Sequence, residues 1–199
     1  MSKTLLLVTA SPMGEASTST KLAESYLKRW QDTHPDGHVI RRDVGTAPPP
    51  HLDQTILGAF FTPEDERSEE QKQATALSDE LIAELTSADE IVFAVPMHNF
   101  TISSGLKTWV DHIARAGLTF RYTETGPQGL LADRPVRLIA SRGGNYEGSP
   151  IDFQVPYLVQ IMNFIGITSV TTITAEGTAM GQDGIAQAEA TLNELDLAA

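Results

Sequence analysis

Five short apolar runs, separated by longer segments of helical period, constrain this chain more than any other feature. Leu5 to Val8 is the first, Val39 to Val44 a weaker second, and Ile91 to Val95 the strongest. Val136 to Ala140 and Ser169 to Thr174 complete the set. Runs of four to eight residues rich in Val, Ile and Thr suit strands covered on both faces, as in a parallel sheet. Between the first two, Leu22, Tyr26, Leu27 and Trp30 share one face of a helix from about Thr18 to Thr33. Leu77, Leu81, Ile82 and Leu85 do the same for a helix ending near Ser87. Leu106, Trp109, Val110 and Ile113 mark a third helix, Tyr157, Ile161 and Phe164 a fourth, and Ile185, Leu192 and Leu195 a fifth. Spacings of three and four place these side chains on one stripe, which reads as core packing.

The alternation predicts an α/β fold: a doubly wound, five-stranded parallel sheet with helices on both faces. Its expected order is 2-1-3-4-5, the flavodoxin-like arrangement, with the switch point between the first and third strands. A length of 199 residues fits a single domain spanning 1–199. Two stretches break the pattern. Thr46 to Leu52 holds three consecutive prolines and reads as an extended surface segment. Ala116 to Asp133 is a long insertion containing Phe120, Tyr122, Pro127 and three glycines, the kind of segment that serves as a lid, binding loop or interface. The acidic run Glu64, Asp65, Glu66, Glu69 and Glu70 reads as a solvated helix start.

Charge and residue usage exclude several functions. A net charge of −12 lacks the basic footprint of a nucleic-acid binder and suits an anionic membrane surface poorly. The absence of cysteine removes disulfide scaffolds, thiolate nucleophiles and cysteine-ligated metals. His34, His38, His51 and His112 are scattered without metal-ligand spacing, so no metal is expected. The apolar stretch Leu5 to Val8 is too short for a bilayer span or a signal peptide, and a cytoplasmic protein is expected. Neither a G-x-x-x-x-G-K-[ST] nor a G-x-G-x-x-G nor a G-x-S-x-G motif occurs.

In an open α/β sheet, ligands bind beyond the carboxyl ends of the strands, at the switch point. Three unusual segments leave the strands on that edge. The first, Thr9 to Ser19, delivers Ser17, Thr18 and Ser19 to a helix N-terminus, where free N–H groups and the helix dipole favour an anion such as a phosphate monoester. The same residues would equally serve as an ordinary N-cap. The second, Pro96 to Phe100, ends a strand at Pro96. It can read a flat ring with main-chain groups, pack its face with Met97 and Phe100, and bond its edge with Asn99. His98, with an ordinary pKa near neutrality, is a candidate proton donor. The third, Ser141, Arg142, Gly143, Gly144 and Asn145, has paired glycines that allow close backbone approach. Arg142 would either neutralise developing negative charge or pair with a carboxylate.

The same residues resemble a known family. Pro96-Met97-His98-Asn99-Phe100, Leu106-Lys107-Thr108-Trp109 with Asp111, Ala114 to Pro127, Ser141-Arg142-Gly143-Gly144, Gly166-Ile167-Thr168 and Ala175-Glu176-Gly177 are similar, in order, to FMN-dependent NADH azoreductases and NAD(P)H:quinone oxidoreductases. The A-R-A-G-x-T-F-x-Y-T-x-x-G-P stretch is the most specific. The resemblance implies an FMN enzyme that takes electrons from NADH or NADPH and reduces quinones and azo compounds by ping-pong two-electron (hydride) transfer, as a homodimer. A one-electron flavodoxin-type carrier is the alternative, expected to be monomeric and to lack the 116–133 insertion. By resemblance, Ser11, Ser17, Thr18 and Ser19 hold the FMN phosphate and ribityl chain. Pro96, Met97, His98, Asn99 and Phe100 cradle the ring, and Ser141, Arg142, Gly143 and Gly144 close its far side. Phe120 reaches the substrate side across a dimer interface. The family commonly has Tyr at position 98 and Gln at position 18, so acceptor preference is the property most exposed to change.

Overall fold

In the computed structural model, residues 2–195 and 197 are described. The strands are β1 (Thr4–Thr9), β2 (His38–Asp43), β3 (Glu90–Pro96), β4 (Phe120–Thr123), β5 (Gly126–Gly129), β6 (Val136–Ser141) and β7 (Val170–Ala175). The helices are α1 (Thr18–Thr33), α2 (Gln54–Phe61), α3 (Glu69–Ser87), α4 (Ser104–Ile113), α5 (Val155–Ile165) and α6 (Gly184–Glu194). Five strands form a parallel sheet in the order β2-β1-β3-β6-β7, which is the expected order once the hairpin β4-β5 is set aside.

Alternation along each strand divides the core. Leu5 and Leu7 of β1, with Val92 and Ala94 of β3, pack under α1 and α6 against Leu22, Tyr26, Leu27, Trp30, Ala188 and Leu192. Leu6 and Val8, with Phe93 and Val95, pack on the other face against Leu81, Leu85, Leu106, Trp109, Leu158 and Met162 of α3, α4 and α5. Each fully buried Leu, Val, Phe or Met side chain among them contributes about 1.5–3 kcal/mol. Both faces of the central strands are thus closed, and ligand access is left to the strand ends.

The structure differs from the sequence reading in particulars. Ile185 faces solvent, and the buried stripe of α6 is Gly184, Ala188 and Leu192. The reason is spatial: a Cβ on Gly184 would lie 1.8 Å from the Glu176 carbonyl oxygen, so the helix enters on its glycine. Helix α2 follows the proline segment, capped by Asp53, whose carboxylate accepts from Ile56 N–H at 2.8 Å. The acidic run forms a short 3-10 turn at Glu64–Glu66. Helix α3 starts after it, with Ser68 and Gln71 closing a reciprocal capping box. The 116–133 insertion is built on the hairpin, seated where Gly129 meets Gly166 so closely that a Cβ would fall 2.1 Å from the Gly166 nitrogen.

Candidate functional site

The chain leaves β1 through a tight turn. Gly14 N–H donates to Ser11 O at 3.0 Å, and Met13 N–H to Ser11 Oγ at 3.2 Å. Helix α1 then begins at Thr18 with Ser17 as its N-cap residue, yet no side-chain hydrogen bond caps it and no acidic residue occupies its first turn. The first N–H groups of a helix have no partner within it. Around them, Ser11, Ser17, Ser19 and Thr20 are all buried. The Ser17 and Ser19 hydroxyls lie 3.1 Å from each other. Thr20 Oγ1 is buried without a partner. Buried hydroxyls beside an uncapped helix start form a donor-rich cluster suited to an anion. Thr18 is half-buried at its edge.

Neighbouring elements lock this loop. A Cβ on Gly45, at the exit of β2, would lie 2.1 Å from Ser11 O, and one on Gly105 of α4 would lie 2.1 Å from Val44 O. The Ser103 hydroxyl, while capping α4, also donates to Ala10 O at 2.8 Å.

The second loop is a two-residue turn. His98 and Thr101 form an isolated antiparallel bridge, and between them Asn99 (φ 47°) and Phe100 (φ 70°) are the only non-glycine residues with positive φ among those described. Two consecutive left-handed residues define a type I′ turn, normally built on Asn-Gly. Phe at the second position costs on the order of 1 kcal/mol or more. The strain is held by flanking ties: Met97 N–H to Ser141 O at 2.8 Å, Phe153 N–H to Phe100 O at 3.0 Å, and Thr101 Oγ1 to Phe153 O at 3.0 Å. Phe100 is half exposed and meets Tyr146 edge to face at 5.9 Å. On the α4–α5 side of the turn a cavity of about 490 Å³ opens, with His98, Asn99, Lys107 and Tyr157 in its wall. Burial, then the Asp111 charge, pushes the Tyr157 phenol above its ordinary value, so it stays a donor.

The third loop rests on a buried ionic cluster. Arg142 is 2% exposed, and each of its three guanidinium nitrogens has a partner. It reaches Asp152 at 2.7 Å, Glu176 at 2.9 Å and Gln154 Oε1 at 3.0 Å. Of the two roles expected of Arg142, pairing with carboxylates is the one present. The side chain braces the loop from beneath. Gln154 in turn donates to Val95 O at 2.9 Å, tying the cluster to β3. Above it, Ser141 is buried and Gly143 and Gly144 keep their backbone at the surface of the rim.

All three segments therefore meet at one edge of the sheet. Phe120 does not join them within one chain. It is 7% exposed and packs on Phe164 at 4.3 Å, near the end of α5 remote from Gln154. With 1.5 Å of rise per residue, the 11 residues of α5 span about 16 Å. The sequence reading missed Ser103, Gly45, Gly105, Asp152, Gln154 and Glu176. Only Glu176 had a signal, as part of the Ala175-Glu176-Gly177 match.

A family model described as a flavodoxin-like fold matches residues 3–197. A protein of Cellvibrio japonicus named FMN-dependent NADH:quinone oxidoreductase is 48% identical over 187 residues, covering 94% of each chain. One of the same name from Azotobacter vinelandii is 45% identical over 96% of this chain and 98% of its own. Among solved structures, an azoreductase from Bacillus anthracis superposes with a TM-score of 0.85 at 30% identity, covering 97% of this chain and 100% of its own. An FMN-dependent NADH-azoreductase from the same species, solved in complex with FMN, gives 0.87 at 28% identity, covering 96% of each.

Proposed function

Because this chain belongs to the flavodoxin-like family of FMN-dependent NADH:quinone oxidoreductases and azoreductases, we propose that it uses FMN to reduce quinones and azo compounds with electrons from NADH or NADPH. When bound, FMN supplies the two-electron redox chemistry, accepting a hydride equivalent from the reduced nicotinamide and returning two electrons to the acceptor. No protein nucleophile is required. The observation that carries the cofactor assignment is the α1 start, left uncapped among buried hydroxyls. A dianionic phosphate satisfies those donors, and a carboxylate cap there would have repelled it.

In this reading Ser11, Ser17, Thr18 and Ser19 hold the phosphate and ribityl chain. Pro96, Met97, His98, Asn99 and Phe100 present backbone and side chains to the ring, the strained turn fixing their direction. Ser141, Gly143 and Gly144 close the far side with main-chain groups, while Arg142 acts through its position underneath. His98, in the wall of the cavity beside the turn, is the candidate to hold a proton for the acceptor.

We further read the whole of 1–199 as one domain acting as a cytoplasmic homodimer, with residues 1, 196, 198 and 199 outside the described structure. Leu118, Tyr122 and Leu130 around the hairpin and Leu57 and Phe61 on α2 are exposed, and a second copy would cover them. Phe120 then reaches an acceptor only from the opposite subunit. No described helix is long and apolar enough to cross a membrane.

The test is direct. The purified protein should bind FMN, and NADH should be oxidised steadily when menadione is present. A protein that takes up no FMN overturns the reading. Flavin reduced only in single turnovers, with no steady quinone reduction, favours the one-electron carrier instead.

A further inference from the structure

Arg142 is one cation facing two carboxylates. Its side chain is 1% exposed and that of Asp152 6%, and the 2.7 Å pair between them already balances the buried charge. Glu176 is therefore surplus to charge neutralisation, and placing a second carboxylate here carries a desolvation cost. Its remaining lone pairs explain its presence. The carboxylate accepts from Tyr146 N–H at 3.0 Å and from Glu147 N–H at 3.2 Å, and the loop folds around it. The same strand exit supplies further ties. Gly177 N–H donates to Gly144 O at 3.0 Å and Ala179 N–H to Gly143 O at 3.1 Å, so both glycine carbonyls are turned toward β7. Thr178 donates twice to Arg142 O, from N–H at 3.0 Å and from Oγ1 at 2.9 Å.

The consequence concerns the opposite side of the glycine backbone. With both carbonyls held from the β7 side and the N–H groups of Tyr146 and Glu147, just beyond Asn145, drawn onto Glu176, the Gly143–Gly144 peptide has one orientation toward the rim. Gln154 relays the same cluster to Val95 O, and Phe153 holds the Phe100 carbonyl. The gap between the second and third loops is thereby set by one buried network.

We propose that Glu176 is a positioning residue of the cofactor site: by gathering the Tyr146 and Glu147 N–H groups onto a carboxylate anchored by Arg142, it fixes the Gly143–Gly144 backbone at the distance from the His98–Thr101 turn that a flavin ring requires. This rests on reading the rim as a flavin site. Glu176 touches neither cofactor nor substrate and acts through the loop alone.

The experiment compares wild type, Glu176→Gln, Glu176→Asp and Asp133→Asn. Asp133 ties Thr168 and Ser169 ahead of β7, away from the rim, and serves as a stability control. Each apoprotein is melted thermally, titrated with FMN by fluorescence quenching, and examined by visible circular dichroism when loaded. Glu176→Gln should raise the FMN dissociation constant roughly tenfold, the order seen when groups orienting a ligand site are removed, and should alter the flavin dichroism. Glu176→Asp, which keeps the charge, should recover part of both. Asp133→Asn should lower the melting temperature and leave FMN affinity as in wild type. Wild-type affinity and dichroism in Glu176→Gln overturn the proposal, as does an equal loss of affinity in Asp133→Asn. If Glu176→Gln does not fold, Glu176→Asp carries the test, and wild-type affinity there overturns it. Failure of wild type itself to bind FMN is visible in its own arm and overturns the flavin reading together with this proposal.

Discussion

His98 and Thr101 hydrogen-bond to each other twice, His98 N–H to Thr101 O at 2.8 Å and Thr101 N–H to His98 O at 3.0 Å. That pair closes a turn in which Phe100 occupies a conformation glycine prefers. Phe100→Gly should relieve about 1 kcal/mol of backbone strain, offset by loss of the Tyr146 contact, leaving the apoprotein melting temperature within a few degrees of wild type. The kcat/KM for menadione should nevertheless fall, because the ring-packing side chain is gone. A parallel collapse of stability would refute this account of the turn.

Ser17 offers a sign-opposed test. Ser17→Asp places a negative charge at the start of α1, which should stabilise the helix by about 0.5 kcal/mol. The same charge should weaken FMN binding by about 100-fold, since two anions about 4 Å apart repel by a few kcal/mol at an effective dielectric near 20. Thermal melts and FMN titration should move in opposite directions. If affinity holds, the phosphate lies elsewhere.

Arg142→Met leaves the buried Asp152 carboxylate and the partly buried Glu176 without their cation. Removing one partner of a buried ion pair costs about 3–5 kcal/mol. Urea denaturation should register a loss of that order, with more than half recovered by adding Asp152→Asn, because the remaining carboxylate then faces only backbone N–H donors.

Acid stability should report on Asp133. Hydrogen bonds from the Ser169 hydroxyl and N–H, then from the Thr168 N–H, hold its carboxyl well below the ordinary value of 3.8. A folded-state pKa below the unfolded one stabilises the fold fully above the unfolded pKa and is lost as pH falls. The contribution is present at neutral pH and declines below about pH 4. Asp133→Asn should flatten that part of the stability curve and leave the rest unchanged in slope, measured by melts from pH 7 to pH 3.

The β4-β5 hairpin was read only as an insertion, whereas the five strands of the main sheet and five helices were legible because each carries a period of its own: Leu22, Tyr26 and Trp30 announce α1 from sequence alone. Helix α2 was not, since eight residues with Ile56 and Ala59 inward and Leu57 and Phe61 outward are apolar on every side and show no stripe. The loops of the site could be found because each follows a recognisable strand. Their supports could not. Arg142, Asp152, Gln154 and Glu176 meet only through the tertiary fold, and nothing in their spacing connects them. Gly45 and Gly105 look like ordinary glycines until the backbone atoms beside them are located. Arg142 was half legible: its residue type indicated an ion pair, but only the packing tells which way the guanidinium turns.

The tight backbone seating of Gly45 on Ser11 and of Gly105 on Val44 also limits how this scaffold can diversify. An added side chain at either point would collide with main chain rather than with something that can swing aside. New acceptor ranges are then expected at the periphery, on the hairpin and α2, where Tyr122 and Phe61 lie outside the cradle and against the proposed second copy.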